Sequence, residues 1–234
     1  GRYHENALGE YNYNFMQPEN GENPVDTFFA NFNWGKSEVD YSISTAKWIH
    51  RNPYDVLAGL ELQKGGSYKT NVDWNAILDE HGKLRLSLGL YAPDTITGLG
   101  KTGEGYHTHE DLFWTGFQGD PTKGKPADQS WYGMSNLVVD KTPITNADFN
   151  TSFNTGHGKH WFVDGKISKD GEWNYRSVSG YLPTWRWWVE HSEDSTPLKG
   201  RYDFDQAYNG GNSLAFEGDL KANSSQNIML YSTK

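Results

Sequence analysis

Residues 27 to 92 switch repeatedly between strand-like and helix-like periodicity, and that alternation constrains the fold more than any other feature of the sequence. Thr27-Phe-Phe-Ala-Asn-Phe-Asn-Trp34 reads as a strand with Asn31, Asn33 and Trp34 crowded at its C-terminal end. A helix follows: Ser37 and Asp40 form a capping-box-like start, Val39, Ile43, Ala46 and Ile49 or His50 recur at helical spacing, and Asn52-Pro53 stops it. From Tyr54 to Gln63 the pattern alternates, with Tyr54, Val56, Ala58, Leu60 and Leu62 on one face and Glu61 on the other near the C-terminal end. A second helix spans Val72 to Glu80, and Leu84 to Ala92 is a third strand with leucines 84, 86, 88 and 90 towards the helices and Ser87, Gly89 and Tyr91 on the inner face. A third helix is expected over about Glu110 to Phe117. Strand, helix, strand, helix, strand with short connections implies parallel strands and right-handed crossovers, as in a barrel or a doubly wound sheet. In such sheets ligands bind at the C-terminal ends of the strands.

The remainder is organised differently. Residues 1 to about 26 read as a loop with one short strand. Gly119 to Asn150 is rich in Gly, Pro, Asp and Lys, with one apolar island from Trp131 to Val139. Beyond it come short β-like runs, Thr151–Phe153, Lys159–Val163, Trp173–Val178, Thr184–Val189, Arg201–Phe204, Ser213–Phe216 and Asn227–Ser232. Turn signals such as Asp164-Gly165 and Asp170-Gly171 separate them, as in a β-sandwich. The expected division is 1–120 as α/β, 121–150 as a linking segment and 151–234 as a β-sandwich resembling a carbohydrate module.

Composition narrows the function. The 234 residues carry a net charge of -9 with Lys and Arg scattered, which disfavours nucleic acid. There is no cysteine, which excludes disulfides and thiol catalysis. Nothing approaches an apolar membrane span of ~20 residues. The opening Gly1-Arg-Tyr-His-Glu5 has no signal-peptide core and reads as an interior cut. With 10 Trp and 14 Tyr, the chain has many rings that can offer an apolar face and a hydrogen-bonding edge, the chemistry a sugar needs. A Trp-rich β core would account for several of them.

Other motifs weigh less. Gly98-Leu-Gly-Lys-Thr102 lacks the leading glycine and following helix of a phosphate loop. His107-Thr-His-Glu110 and Gly156-His-Gly-Lys-His160 lack the helical spacing of a zinc protease, so no metal is expected there. Asp203, Asp205, Glu217 and Asp219 read as a solvated face rather than a calcium site. No cofactor motif occurs.

Several runs together resemble glycoside hydrolase family 85, the endo-β-N-acetylglucosaminidases, most closely the Endo-D type. They are Arg2-Tyr-His-Glu-Asn-Ala-Leu-Gly-Glu-Tyr-Asn-Tyr13, Asn31-Phe-Asn-Trp34, Arg51-Asn-Pro-Tyr-Asp-Val56 with Gly59-Leu-Glu-Leu62, Ser87-Leu-Gly-Leu-Tyr-Ala-Pro-Asp94, Ser152-Phe-Asn-Thr-Gly-His-Gly158 and Leu182-Pro-Thr-Trp-Arg-Trp187. The resemblance implies an α/β plus β chain: the C-terminal half of a (β/α)8 TIM barrel, strands six to eight, followed by a β-sandwich. It implies hydrolysis of the GlcNAc-β1,4-GlcNAc bond of N-linked glycans by a substrate-assisted, oxazoline-forming, retaining mechanism.

The family's catalytic Asn-x-Glu and active-site Tyr belong upstream of Gly1, so no catalytic residue is assigned to this chain. Asn20-Gly-Glu22 has the spacing but lies in a Pro-flanked loop, out of order. The resemblance assigns substrate-binding roles to Trp34, Glu61 and Tyr91. Asn33 and His4 stand where some members carry aromatics and are also counted in the sugar site. The implied partners are an N-linked glycan or glycoprotein and the N-terminal half of the enzyme. The implied location is secreted or on the bacterial surface. The rival reading is a non-catalytic carbohydrate-binding or adhesin segment.

Overall fold

The computed structural model describes residues 6–100, 103–116, 131–138, 144–146 and 148–231. The chain divides into two compact units, Gly1–Ile96 and Thr97–Lys234. No helix of the described residues is long and apolar enough to cross a membrane.

The first unit is built on three parallel strands in the order β1 (Phe28–Ala30), β2 (Val56–Glu61) and β3 (Ser87–Tyr91). Between β1 and β2 runs α1 (Lys36–Trp48), and between β2 and β3 lie two single-turn helices, α2 (Leu62–Gly65) and α3 (Trp74–Ile77). Val56, Ala58 and Leu60 are buried on the helix side of β2, where Val39 and Ala46 of α1 and Trp74, Ala76 and Ile77 of α3 join the core. The register pairs Phe29 with Leu57, Gly59 with Gly89 and Glu61 with Tyr91, so these rows share the opposite face, as the alternation predicts.

Several elements are shorter than expected, each for a local reason. The first strand ends at Ala30 because the Asn31 side chain takes the Phe32 N–H and Asn33 turns to φ 66°. The helix after it begins at Lys36, and Glu38 rather than Asp40 supplies the cap by accepting the Gly35 N–H at 2.9 Å. Asn52 accepts the Tyr54 N–H and starts a 3₁₀ turn, so β2 begins at Val56. The second helix contracts to α3, capped by Asp73, because Leu78 becomes extended and bridges Leu84. That bridge and the Arg85 N–H bond to the Ile77 carbonyl occupy the backbone before Ser87, which delays β3.

Arg51 joins the N-terminal loop to this sheet. Its buried guanidinium donates to the carbonyls of Met16 and Val25 at 3.0 Å each and of Asp26 at 2.6 Å, and its Nε to the Asp55 carboxylate at 2.8 Å. A buried cation with four acceptors escapes the penalty of an unpaired charge.

The second unit opens with α4 (Ile96–Leu99), which straddles the boundary, and α5 (Gly103–Thr115). Three antiparallel pairs follow: β4 (His157–Val163) with β5 (Lys166–Asn174), β6 (Trp188–Glu190) with β9 (Asn227–Met229), and β7 (Lys199–Asp203) with β8 (Ser213–Glu217). The Asp164-Gly165 turn between β4 and β5 has φ of 49° and 74°, the left-handed pair that an Asp-Gly hairpin turn requires. The expected strand at Thr151–Phe153 is absent, with Phe153 at φ 57°. The run Trp173–Val178 leaves the ladder at Asn174 and becomes a 3₁₀ turn over Arg176–Val178. Only Trp188 and Val189 of Thr184–Val189 form strand, because Trp185 and Arg186 adopt φ of 49° and 71°.

On the open face of the first sheet, Phe29 spreads across the glycine row. A Cβ on Gly89 would stand 2.4 Å from its ring, and one on Gly59 would meet both that ring at 2.7 Å and the Ala30 carbonyl oxygen at 2.6 Å. Phe29 is 42% exposed and can swing away, whereas the Ala30 backbone cannot. Gly59→Ala is therefore expected to cost roughly 1–3 kcal/mol in urea unfolding, and the loss should persist in a Phe29→Ala background. Gly89→Ala should be largely rescued by that second change; equal rescue of both would contradict this packing.

Candidate functional site

The parallel register carries the C-terminal ends of β1, β2 and β3 to one edge of the sheet, and most sequence-predicted site residues lie there. The left-handed turn at Asn33 folds Trp34 back over β2, where its indole N–H donates to the Gly59 carbonyl at 2.8 Å. Asn33 is exposed, and its carbonyl accepts from the Asn6 side chain at 3.2 Å. Glu61 caps α2, its Oε1 accepting the Lys64 N–H at 3.3 Å, while its backbone carbonyl accepts from the Thr70 hydroxyl at 3.1 Å. Tyr91, the register partner of Glu61, is 47% exposed and meets Phe32 edge-on at 5.2 Å between ring centroids. His4 lies outside the described residues.

A cavity of about 650 Å³ opens here, lined by Asn12, Phe15, Phe28, Phe29, Asn31, Phe32 and Tyr91. Of the predicted site residues only Tyr91 lines it; Trp34, Asn33 and Glu61 stand outside. Asn31 and Phe32 line it without having been expected from the sequence, although both belong to the Asn31-Phe-Asn-Trp34 run that carries the resemblance. Asn20 and Glu22 are exposed on a tight turn in which Glu19 and Glu22 exchange backbone bonds at 2.9 Å. They do not follow a strand.

The two histidine motifs meet in the second unit. His107 on α5 stacks on His157 of β4 with 17° between the rings, and their Nε2 atoms approach to 3.2 Å, within hydrogen-bond distance. The other nitrogen of His107, Nδ1, lies 3.1 Å from Glu110 and 3.3 Å from Arg186. Arg186 bonds Asp111, reaches Glu110 at 3.4 Å, and packs its guanidinium 4.7 Å above both Trp187 and Tyr202. This network holds Arg186 in the left-handed conformation noted above, which costs of order 1–3 kcal/mol when unsupported. Among the described residues no group of three or more His, Asp or Glu side chains forms a metal site. The acidic run around β7 and β8 is tied to cations: Arg201 bonds Glu217 at 2.7 Å and Asp203 at 3.3 Å, and Lys159 bonds Asp205 at 2.7 Å.

Burial pushes His107 below the ordinary histidine range, and burial with Arg176 and His107 nearby takes His157 down to about 4. For Glu110, burial opposes ionisation, but the His107 bond and Arg186 outweigh it and hold the carboxyl low. Both histidines therefore bind protons more readily in the unfolded chain, where the ordinary value is 6.5. Stability must then fall as pH drops from about 6.5 towards 4 and stay flat for these groups above 6.5. His157→Gln should flatten that decline in thermal melts followed by near-ultraviolet circular dichroism; an unchanged slope would contradict the assignment.

Comparison with known proteins identifies the class. The model of glycosyl hydrolase family 85 matches residues 2–161, and the chain belongs to that family. It is 67% identical to the crystal structure of the Endo-D glycoside hydrolase domain from Streptococcus pneumoniae, with a TM-score of 0.94 over 100% of this chain and 36% of that one. This bears out the Endo-D resemblance. A cytosolic endo-beta-N-acetylglucosaminidase of Danio rerio is 26% identical over 82% of this chain and 24% of its own length. A second from Arabidopsis thaliana is 23% identical over 84% of this chain and 28% of its own. The chain thus spans about a quarter of those curated relatives. Their names also overturn the expected secreted or cell-surface location, which had been drawn from the resemblance alone: the curated relatives are cytosolic.

Proposed function

We propose that this chain supplies the sugar-binding wall of an endo-β-N-acetylglucosaminidase. In this reading it is the C-terminal half of a (β/α)8 barrel, with β1, β2 and β3 as strands six, seven and eight. The linking segment of 121–150, most of it outside the described residues, leads to a β-sandwich over 151–234. The observation that carries the reading is the common edge of three parallel strands, where Trp34, Glu61 and Tyr91 end up together in a family 85 chain.

The reaction proposed is hydrolysis of the GlcNAc-β1,4-GlcNAc bond in the N-glycan core. The acetamido oxygen of the substrate attacks its own anomeric carbon, the leaving sugar departs with a proton, and water opens the oxazoline with net retention. The Asn that orients the acetamide and the Glu that moves the proton are proposed to come from an N-terminal part that this chain does not contain. Here Tyr91 offers a ring face to pyranose C–H groups, Glu61 accepts sugar hydroxyls through the carboxylate oxygen not engaged in its cap, and Trp34, fixed by Gly59, forms the acceptor-side wall with Asn33 beside it in the chain; His4, outside the described residues, is proposed as a further sugar contact. A ring already anchored by its N–H costs little ordering when a sugar stacks on it.

The test is made in the full-length protein. Glu61→Gln keeps an amide oxygen for the Lys64 N–H, so α2 survives while the charged acceptor is lost. A hydrogen bond to a charged group is worth ~1.5–3 kcal/mol, so kcat/KM on a trimmed high-mannose glycopeptide should fall roughly ten- to a hundredfold. Trp34→Ala should impair transfer from an oxazoline donor to a GlcNAc acceptor more than it impairs hydrolysis. Unchanged hydrolysis and transfer in both folded variants would sink the assignment. So would product release by this chain alone.

A further inference from the structure

The second unit carries a surface that the catalytic reading leaves unused. Residues 205 to 211 cross the β4–β5 hairpin and are pinned to it by four backbone-mediated bonds. Phe162 and Gly210 exchange N–H···O bonds at 2.8 and 3.1 Å, the Gly165 N–H donates to the Tyr208 carbonyl at 2.9 Å, and the Asp164 N–H donates to the Asn209 side chain at 3.1 Å. The base of the loop is closed by Asp203, which accepts the N–H groups of Asp205 and Gln206, and by Ser213, whose hydroxyl donates to the Gln206 carbonyl. A segment held at so many points is rigid before any ligand arrives.

What this loop presents is mixed in chemistry. Tyr208 is 66% exposed, and its ring passes 4.0 Å from the position a Cβ would take on Gly165, which sets the ring beside the hairpin turn. Ile167 beside it is also exposed, Phe162 forms a buried floor, and Asp205, Gln206 and Ser213 complete a cavity of about 530 Å³. Lys159, bonded to Asp205 at 2.7 Å, favours the ionised form of that carboxylate. A purely apolar surface would suit another protein face; an exposed aromatic ring bordered by a carboxylate, a side-chain amide and a hydroxyl suits a pyranose, whose C–H face stacks while its hydroxyls donate to the carboxylate.

We infer that Tyr208, Asp205 and Gln206 form a second carbohydrate-binding site, separate in the sequence from the wall around Trp34, Glu61 and Tyr91, which takes a neutral pyranose end of a glycan. The exposed carboxylate is an acceptor, so the site disfavours sugars that carry a negative charge. The inference is independent of the catalytic reading because it concerns binding alone.

The experiment is saturation-transfer NMR on the full-length protein with the methyl glycosides of glucose, galactose, mannose and N-acetylglucosamine, and with N-acetylneuraminic acid as the charged probe. At least one neutral glycoside should receive saturation through its C–H face, and Tyr208→Ala should weaken its binding at least about tenfold, the size of effect typical of a lost aromatic anchor. Tyr208→Phe, which keeps the ring, should retain it, and hydrolytic activity should be unchanged in both. Because Tyr208 is exposed, these variants fold. No binding by any neutral glycoside, binding indifferent to Tyr208→Ala, or a preference for N-acetylneuraminic acid would overturn the proposal. Loss of self-association in Tyr208→Ala by sedimentation, with sugar binding intact, would reassign the surface to a second copy of the chain.

Discussion

Parallel pairing of β1, β2 and β3 is the constraint on which the candidate site depends. In an antiparallel sheet, alternate strands would begin and end at opposite edges, and Trp34, Glu61 and Tyr91 would be scattered. Parallel pairing requires crossovers, the crossovers require an apolar helix side, and Val56, Ala58 and Leu60 meet that need. The other face carries the row of Phe29, Leu57, Gly59 and Gly89. Glycines at 59 and 89 keep it low, Phe29 lies across them, and the aromatic and carboxylate groups rise only at the C-terminal edge.

The polar groups at that edge serve two purposes. Trp34 gives its N–H to Gly59, Asn33 provides the left-handed turn, and Glu61 caps the helix that follows it. Each is fixed by a backbone bond or conformation before any ligand binds, which is how a site on loops acquires the rigidity of the strands beneath it. The buried cluster of the second unit, by contrast, ties α5 to the antiparallel strands through His107, Glu110, Asp111 and Arg186, and its charges are spent on one another.

Period-two alternation made the shared face of Glu61 and Tyr91 legible in the sequence, because pleating obeys it regardless of partners. The length of the elements was not legible. Whether Leu78 continues a helix or turns to bridge Leu84, and whether Trp185 and Arg186 extend or adopt φ above zero, depends on tertiary bonds that no local pattern encodes. The meeting of His107 with His157 was equally hidden: the two histidines stand fifty positions apart, in motifs that each look weak alone. Family membership was legible because its motifs fall in order along the chain, whereas location was not, since no residue here reports it.

The central claim is that the C-terminal edge of β1, β2 and β3 touches the glycan. A crystal structure of the full-length protein with a trimmed N-glycan bound tests it most directly. A pyranose with its C–H face on Tyr91 or Trp34 and a hydroxyl hydrogen-bonded to the Glu61 carboxylate is expected. A glycan seated elsewhere, with all three side chains in contact only with protein and solvent, would contradict it.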